Sequence, residues 1–369
     1  MQQSTVFYAT ALITVSVFLF SCKKEPVDSI NDGTTYATME LWGNGAMGVL
    51  YNEATQSVAY NKPNGSGTYE IFIANVDGTG EVELSHPSWP TNRHHWAEEW
   101  DPTGQYLFCY IEKEIYAPET GHTRIPEDAI PGYGAYTDLW VVTRDGSQTW
   151  QLTNFPNDYD HGIIHGAISN DGTMFAWTER IQAPVFLDPN LGAGAYVFKV
   201  ADVSYSPAPS LSNIRTFQPG GVLAGGEVES ISPDKTDILV YSSFESGNMI
   251  ATPIYRIDIA TGATTKLTTE SFSQSPTYTP NGQRIVYMTG HHCDIFPGQL
   301  QGADWWVMDA DGTNKRRLTY MNKKDHAQSE NSYRLAGSLS FINESTFLGG
   351  VMTHSFGLTG YTAKVTFQN

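Results

Sequence analysis

Two turn cassettes alternate along this chain, and their spacing admits one kind of architecture. The first is an apolar stretch that ends in a Gly turn, with Leu-Thr or Leu-Ser five or six residues further on. It occurs as Asn75-Val76-Asp77-Gly78 to Leu84-Ser85, Thr143-Arg144-Asp145-Gly146 to Leu152-Thr153, Ile259-Ala260-Thr261-Gly262 to Leu267-Thr268 and Asp309-Ala310-Asp311-Gly312 to Leu318-Thr319. The second is an Asp/Asn-Gly turn leading into a strongly apolar strand: Asp101-Pro102-Thr103-Gly104 before Tyr106 to Tyr110, Asn170-Asp171-Gly172 before Met174 to Trp177, Ser232-Pro233-Asp234-Lys235 before Ile238 to Tyr241, and Pro280-Asn281-Gly282 before Arg284 to Met288. Asn and Asp tolerate the left-handed backbone, Gly adopts it freely and Pro presets the entering angle, so each cassette closes a hairpin. Two hairpins make a four-stranded antiparallel sheet, and sheets that are apolar on both faces must stack on one another. The predicted fold is therefore all-β, a β-propeller of six four-stranded antiparallel blades.

With the cassettes as registration marks, the blades run from about Gly45 to Ser85, Arg93 to Thr153, Asp160 to Gln218, Gly226 to Thr268, Ser273 to Thr319 and Tyr333 to Gln368. The last blade shows only three strands, Ala336 to Phe341, Thr346 to Thr353 and Tyr361 to Phe367. Its missing outer strand is expected at Thr35 to Trp42, which closes the ring and removes the open edges. Blade three is degenerate: a Ser/Pro/Ala stretch replaces the Gly turn between Ala195 to Val203 and Asn213 to Phe217.

Ahead of the repeats, Val6 to Phe20 is an apolar run ending in Leu19-Phe20-Ser21-Cys22, followed at once by Lys23-Lys24-Glu25. Fifteen residues is short for a membrane span, and a Cys directly after the run matches a bacterial lipoprotein cleavage box. Residues 1–21 are thus expected to be a signal peptide, Cys22 the acylated residue, residues 22–34 a flexible tether and residues 35–369 the propeller. The expected location is the bacterial cell envelope, with membrane contact through the lipid alone, and the expected state is a monomer. A formal charge of −18 disfavours nucleic acid and anionic membrane surfaces, and leaves cations, cationic peptides and neutral glycans as better partners. Besides Cys22 only Cys109, in an apolar strand, and Cys293, in a distant loop, are present, which argues against a structural disulfide.

These cassettes resemble the TolB-like propellers, whose repeats are also called WD40-like or PD40. The closest matches are Ser232-Pro233-Asp234, Thr279-Pro280-Asn281-Gly282 and Trp306-Val307-Met308-Asp309-Ala310-Asp311-Gly312-Thr313-Asn314 to Leu318-Thr319. The resemblance spans nearly all of the chain after Thr35 and implies a fold; it implies little about function, because the repeats encode turns and strands.

In a blade the strands alternate in direction, so both Gly-turn cassettes lie on one face of the disc, and the loops between second and third strands and between blades lie on the other. All ten histidines are predicted on that second face. The residues just before each innermost strand are expected nearest the channel: His94, His95 and Glu98 before Trp100; His161 and His165 before Ile168; Glu227 and Glu229 before Ile231; Gln274 before Tyr278; His326 and Glu330 before Leu335. With Trp96 and Trp305, the residues His94, His95 and Glu98 are candidates for holding a ligand. His161, His165, His326 and Glu330 are candidates for one divalent metal, Mn, Zn or Fe, since imidazoles and carboxylates converging from different blades suit a borderline cation. Solvated rim histidines are the competing reading.

The segment Gly290-His291-His292-Cys293-Asp294 with Trp305-Trp306 is similar to the loop carrying the catalytic base in oligogalacturonate lyases, propellers with a His/Gln-held manganese. That likeness implies that His291 or His292 abstracts the proton alpha to a uronate carboxylate, with the metal acidifying it. No Gly-x-Ser-x-Gly elbow, His-Glu-x-x-His, phosphate loop or dinucleotide fingerprint occurs. Two functions from different classes follow: a propeller binding a glycan or peptide at a His-rich, aromatic-lined mouth without turnover, or a metal-dependent lyase cleaving uronate-containing oligosaccharides by β-elimination. A scaffold within an envelope complex is a third.

Overall fold

The computed structural model describes residues 36–42, 47–114, 126–129, 133–183, 194–220, 225–245, 252–270, 272–290, 302–353 and 360–368. Cys22, His122, His291, His292, Cys293 and His354, as well as the segments expected to be a signal peptide and a tether, lie outside the described residues.

The chain begins with β1 (Ala37–Trp42), which belongs to the last blade. Blade 1 follows as β2 (Met47–Asn52), β3 (Ser57–Pro63), β4 (Tyr69–Asn75) and β5 (Val82–Leu84). Blade 2 is β6 (His95–Trp100), β7 (Tyr106–Glu112), β8 (Thr137–Thr143) and β9 (Thr149–Gln151); blade 3 is β10 (Gly162–Ile168), β11 (Met174–Gln182), β12 (Ala195–Ser204) and β13 (Ser210–Phe217). Blade 4 is β14 (Gly226–Ile231), β15 (Asp237–Ser242), β16 (Ile254–Asp258) and β17 (Thr264–Lys266); blade 5 is β18 (Ser273–Tyr278), β19 (Arg284–Thr289), β20 (Asp304–Asp309) and β21 (Arg316–Arg317). Blade 6 is β22 (Leu335–Asn343), β23 (Thr346–Met352) and β24 (Gly360–Phe367), and β1 completes it by pairing antiparallel with β24 from Ala37 opposite Phe367 to Trp42 opposite Thr362. The fold is the six-bladed all-β propeller, closed by the N-terminal strand as anticipated.

The turns form for local reasons. Asp77, Asp145, Asp171, Asp234 and Asp311 each accept the amide and hydroxyl of the Thr or Ser two positions on, so the side chain mimics a backbone turn. These bonds hold the carboxyls below their ordinary range, helped at Asp171 by Lys235; at Asp145 the Thr143 hydroxyl contributes most, then Ser147, and the carboxyl stands at about 2. Gly146 illustrates the need for glycine: at φ +71° an added Cβ would sit 2.7 Å from the Ser85 carbonyl.

The core is divided among the blade interfaces. Six clusters of buried side chains occur among the described residues, one between each pair of neighbouring blades. A middle strand such as β7 is buried along Leu107-Phe108-Cys109-Tyr110-Ile111, because both faces of its blade are covered. Each large side chain removed from water there contributes about 1.5–3 kcal/mol, so stacking rather than the turns supplies the main driving force. Cys109 is a free, buried thiol whose ionisation burial suppresses.

Consecutive innermost strands are neighbours around the ring, β2, β6, β10, β14, β18, β22 and back to β2. Every one carries one extra residue relative to its partner, a β-bulge: between Met47 and Leu50, Ala97 and Glu99, Ile163 and His165, Val228 and Ser230, Gln274 and Thr277, and Ala336 and Leu339. Beside these bulges each blade reaches its neighbour with one side chain. The Ala97 amide donates to Asn61 Oδ1 (3.0 Å), Gly166 to Glu98 Oε1 (2.6 Å), Val228 to Thr178 Oγ1 (2.8 Å), Tyr278 to Ser230 Oγ (3.3 Å) and Tyr51 to Ser340 Oγ (2.9 Å). At the remaining seam Trp305 Nε1–H donates to the Gly337 carbonyl at 3.0 Å.

Candidate ligand site in the central channel

A bulge turns successive side chains away from strict alternation, and this is what builds the site. In β6 it allows Glu98 and Glu99, adjacent in sequence, to act on the same cluster; in β10 it delivers His165, and in β14 Glu227 and Glu229. Four carboxylates from blades 2 and 4 thus surround one imidazole from blade 3. His165 Nδ1–H donates to the Val228 carbonyl at 3.0 Å and lies 3.3 Å from Glu98 Oε1, while Nε2 lies 3.7 Å from Glu229 Oε2. Glu98 and Glu229 are buried; Glu99, His165 and Glu227 keep partial contact with solvent. Tyr110 and Tyr241 border the acids, and Ser275 borders Glu229, whose Oε1 has no hydrogen-bond partner.

The electrostatics follow from that inventory. Burial pulls the His165 imidazole down, but Glu98, Glu229, Glu227 and Glu99 outweigh it and hold it at about 10. Burial raises all four carboxyls, with Glu99 and Glu229 at about 8. One imidazolium cannot neutralise four carboxylates gathered around it, so part of the set retains protons near neutrality. Such a chamber favours a cationic group that could take the place of those protons.

The other half of the ring is different. Blades 6 and 1 present Gly337 and Gly48 at the equivalent bulges, and an added Cβ at Gly337 or Gly350 would meet nothing closer than 3.4 Å. One arc of the channel is therefore acidic, and the opposite arc is lined by backbone.

The channel-facing residues sit inside the innermost strands at their bulges rather than just before them, so the predicted candidates separate. His165 and Glu98 enter the chamber together with Glu227 and Glu229. His94 and His95 are turned into the wedge between blades 1 and 2. His94 Nδ1 accepts the Tyr69 amide at 3.2 Å, and His95 is held by Glu70 (2.6 Å) and the Pro90 carbonyl (3.0 Å). Trp96 packs against Tyr69 in the blade 2–3 core, and Trp305 is fully buried at the seam of blades 5 and 6. Gln274 donates to Thr252.

The metal candidates are likewise dispersed. His161 Nδ1–H donates to Asp158 at 2.6 Å; His326 stacks on Tyr320 and its Nδ1 accepts the Gln328 amide; Glu330 pairs with Arg334. Among the described residues no three His, Cys, Asp or Glu side chains are placed to hold one ion, so these four do not fit a common metal. A surface pocket of about 300 Å³ at the outer edge of blade 2 is separate from the chamber, and its Lys113 is bonded to Asp138 and the Phe155 carbonyl.

Periodicity could not reveal Glu99, because ordinary strand alternation places neighbours on opposite faces. Its signal was there nonetheless: two consecutive glutamates between Trp96 and Trp100 contradict an unbroken strand.

No protein-family model and no curated protein matches the chain. Among solved structures it is similar to a putative TolB from Agrobacterium tumefaciens, at 12% identity and a TM-score of 0.50, covering 91% of this chain and 100% of that one. TolB from Acinetobacter baumannii is similar at 15% identity and a TM-score of 0.47, covering 88% of this chain; this chain spans 63% of that protein. An oligogalacturonate lyase from Vibrio parahaemolyticus is similar at 9% identity and a TM-score of 0.48, covering 89% and 91%. At such identities the likeness is one of fold.

Proposed function

We propose that this TolB-like six-bladed propeller is an exported, Cys22-anchored binding module of a bacterial envelope that takes a basic peptide segment into its channel mouth without turnover. The observation that carries this reading is the chamber of Glu98, Glu99, Glu227 and Glu229 around the single His165. A Lys or Arg side chain entering it would replace retained protons with a fixed positive charge; a neutral sugar would leave the imbalance in place. The charge of −18 would also draw a basic ligand toward the protein. The aromatic lining expected at the mouth offers a sugar ring little to stack on, because Trp89, Trp96, Trp100 and Trp305 are buried in blade interfaces.

Calorimetric titration at pH 7.5 with a short Lys-containing peptide and with a neutral oligosaccharide tests the reading. The peptide is expected to bind with proton release, seen as a buffer-dependent enthalpy, and Glu227→Gln to weaken it about tenfold, the scale of one charge-assisted contact. Equal binding of the neutral oligosaccharide, with Glu227→Gln silent, would sink it. The metal-dependent lyase acting through His291 or His292 would replace it if untagged protein carried stoichiometric Mn, Zn or Fe and released an unsaturated product from oligogalacturonides.

A further inference from the structure

Arg180, near the end of β11, lies on the face opposite the Gly turns, paired with Gly162 of β10 and Tyr196 of β12. It has no solvent exposure. Nη1 donates to the Tyr133 carbonyl at 2.8 Å, and the guanidinium carbon stands 4.4 Å from the centre of the Tyr159 ring. Nε and Nη2 have no hydrogen-bond partner, and the buried Asp128 carboxylate is near enough to act on the same Tyr159. The Tyr159 hydroxyl is also within hydrogen-bonding reach of the guanidinium, and the Tyr196 hydroxyl feels its charge. A buried cation with two idle donors is costly unless something completes it.

Which donors are idle matters. Nε–H and Nη2–H point the same way and form the side-on fork of a guanidinium, whose spacing matches the two oxygens of a carboxylate. Nη1, the nitrogen outside that fork, is the one already used. The carbonyl holding it is itself fixed: Gly134, at φ +63°, packs so closely on blade 3 that an added Cβ would lie 2.3 Å from the Ile163 carbonyl oxygen. The Thr137 hydroxyl bridges the Gly134 carbonyl (2.9 Å) and the Ile163 amide (3.1 Å), and the Tyr136 amide donates to the His161 carbonyl (3.0 Å).

We propose that Arg180 anchors an anion site whose ligand is a carboxylate group, gripped by Nε–H and Nη2–H beside the face of Tyr159. A halide would satisfy the fork poorly, and a phosphate dianion would bring a second charge into an aromatic setting with one cation to meet it. The site stands apart from the chamber at His165 and does not depend on a peptide being bound there.

The test compares melting temperatures in sodium acetate and sodium chloride at equal ionic strength and pH 7.5, for the wild type, Arg180→Lys and Arg180→Met. Acetate is expected to raise the wild-type midpoint logarithmically, as ligand linkage requires. The Lys variant, which has charge without a fork, should need about tenfold more acetate for the same rise. The Met variant, which subtracts the general effect of acetate on protein surfaces, should show no specific rise. In the wild type alone, the Arg180 Nε–H resonance should move downfield with acetate and stay put with chloride, a readout that survives failure of either variant to fold. A stationary resonance up to molar acetate, or an equal rise in the Met variant, overturns the proposal.

Discussion

Glu99, Glu229 and His165 make the channel sensitive to pH in one direction. Glu99 and Glu229 stand at about 8 against an ordinary 4.5, so the stability they permit is full below pH 4.5 and is lost as pH rises through 8. His165 stands at about 10 against 6.5, so its contribution is full below 6.5 and is lost as pH rises through 10. All three slopes have the same sign. Urea unfolding should show the wild type weakening between pH 6 and 9, and Glu229→Gln should remove on the order of 2 kcal/mol of that loss; an unchanged slope would contradict the charge assignment. Trp305 offers a separate check. Trp305→Phe deletes the donor to Gly337 and should cost about 1 kcal/mol. Gly349→Ala puts a Cβ 2.3 Å from the same indole and should cost about 1–3 kcal/mol in thermal or urea unfolding. The histidines show why single residues were hard to place from sequence. A residue's loop can be inferred from turn spacing, but His94 and His95 are aimed by Glu70, Tyr69 and Pro90, partners outside their own strand.

Strands and turns were far more legible, because what specifies them is local. Asp145 and Ser147 make their bonds within three residues, and any reader of Asp-Gly-Ser can anticipate them. Closure by β1 was legible for a different reason, since blade 6 lacked a strand and the N-terminus had one to spare. The bulges were not legible: an extra residue is defined only against a partner strand, and nothing in Val228-Glu229-Ser230 announces it. The turns carry the acid limb of stability. Asp145, held at about 2 against 3.8, contributes stability above pH 3.8 that disappears as pH falls through 2, so Asp145→Ala should melt lower at pH 7 and converge with the wild type in strong acid. Removing β1 by starting the chain at Gly43 bares the β24 edge along six paired residues. The truncated protein should lose roughly 3 kcal/mol and self-associate in light scattering, since an unpaired strand edge recruits another; a stable monomer would show that closure matters less than the ladder suggests.

At the scale of the whole molecule, charge is distributed by depth. The chain carries a formal charge of −18, and within it the channel holds an acidic arc facing a glycine-lined one. If the acidic arc receives a basic peptide and Arg180 a carboxylate, a ligand bearing both charges would find two anchors, with Tyr196 feeling both Arg180 and Glu227. Association should slow steeply between 50 mM and 500 mM salt on the scale set by screening lengths of about 14 to 4 Å, which stopped-flow fluorescence can follow.

The side chains that cross each seam have a consequence for how the ring comes apart. Asn61, Glu98, Thr178, Ser230, Trp305 and Ser340 each complete the next blade rather than their own. A blade taken singly is missing both a hydrophobic neighbour and a bonding partner, so it has no stable boundary at which unravelling could pause. An arch of this kind stands or falls together: it should absorb heat in a single calorimetric transition, and a new opening cut at any Gly turn, with the old ends joined, should leave that transition single.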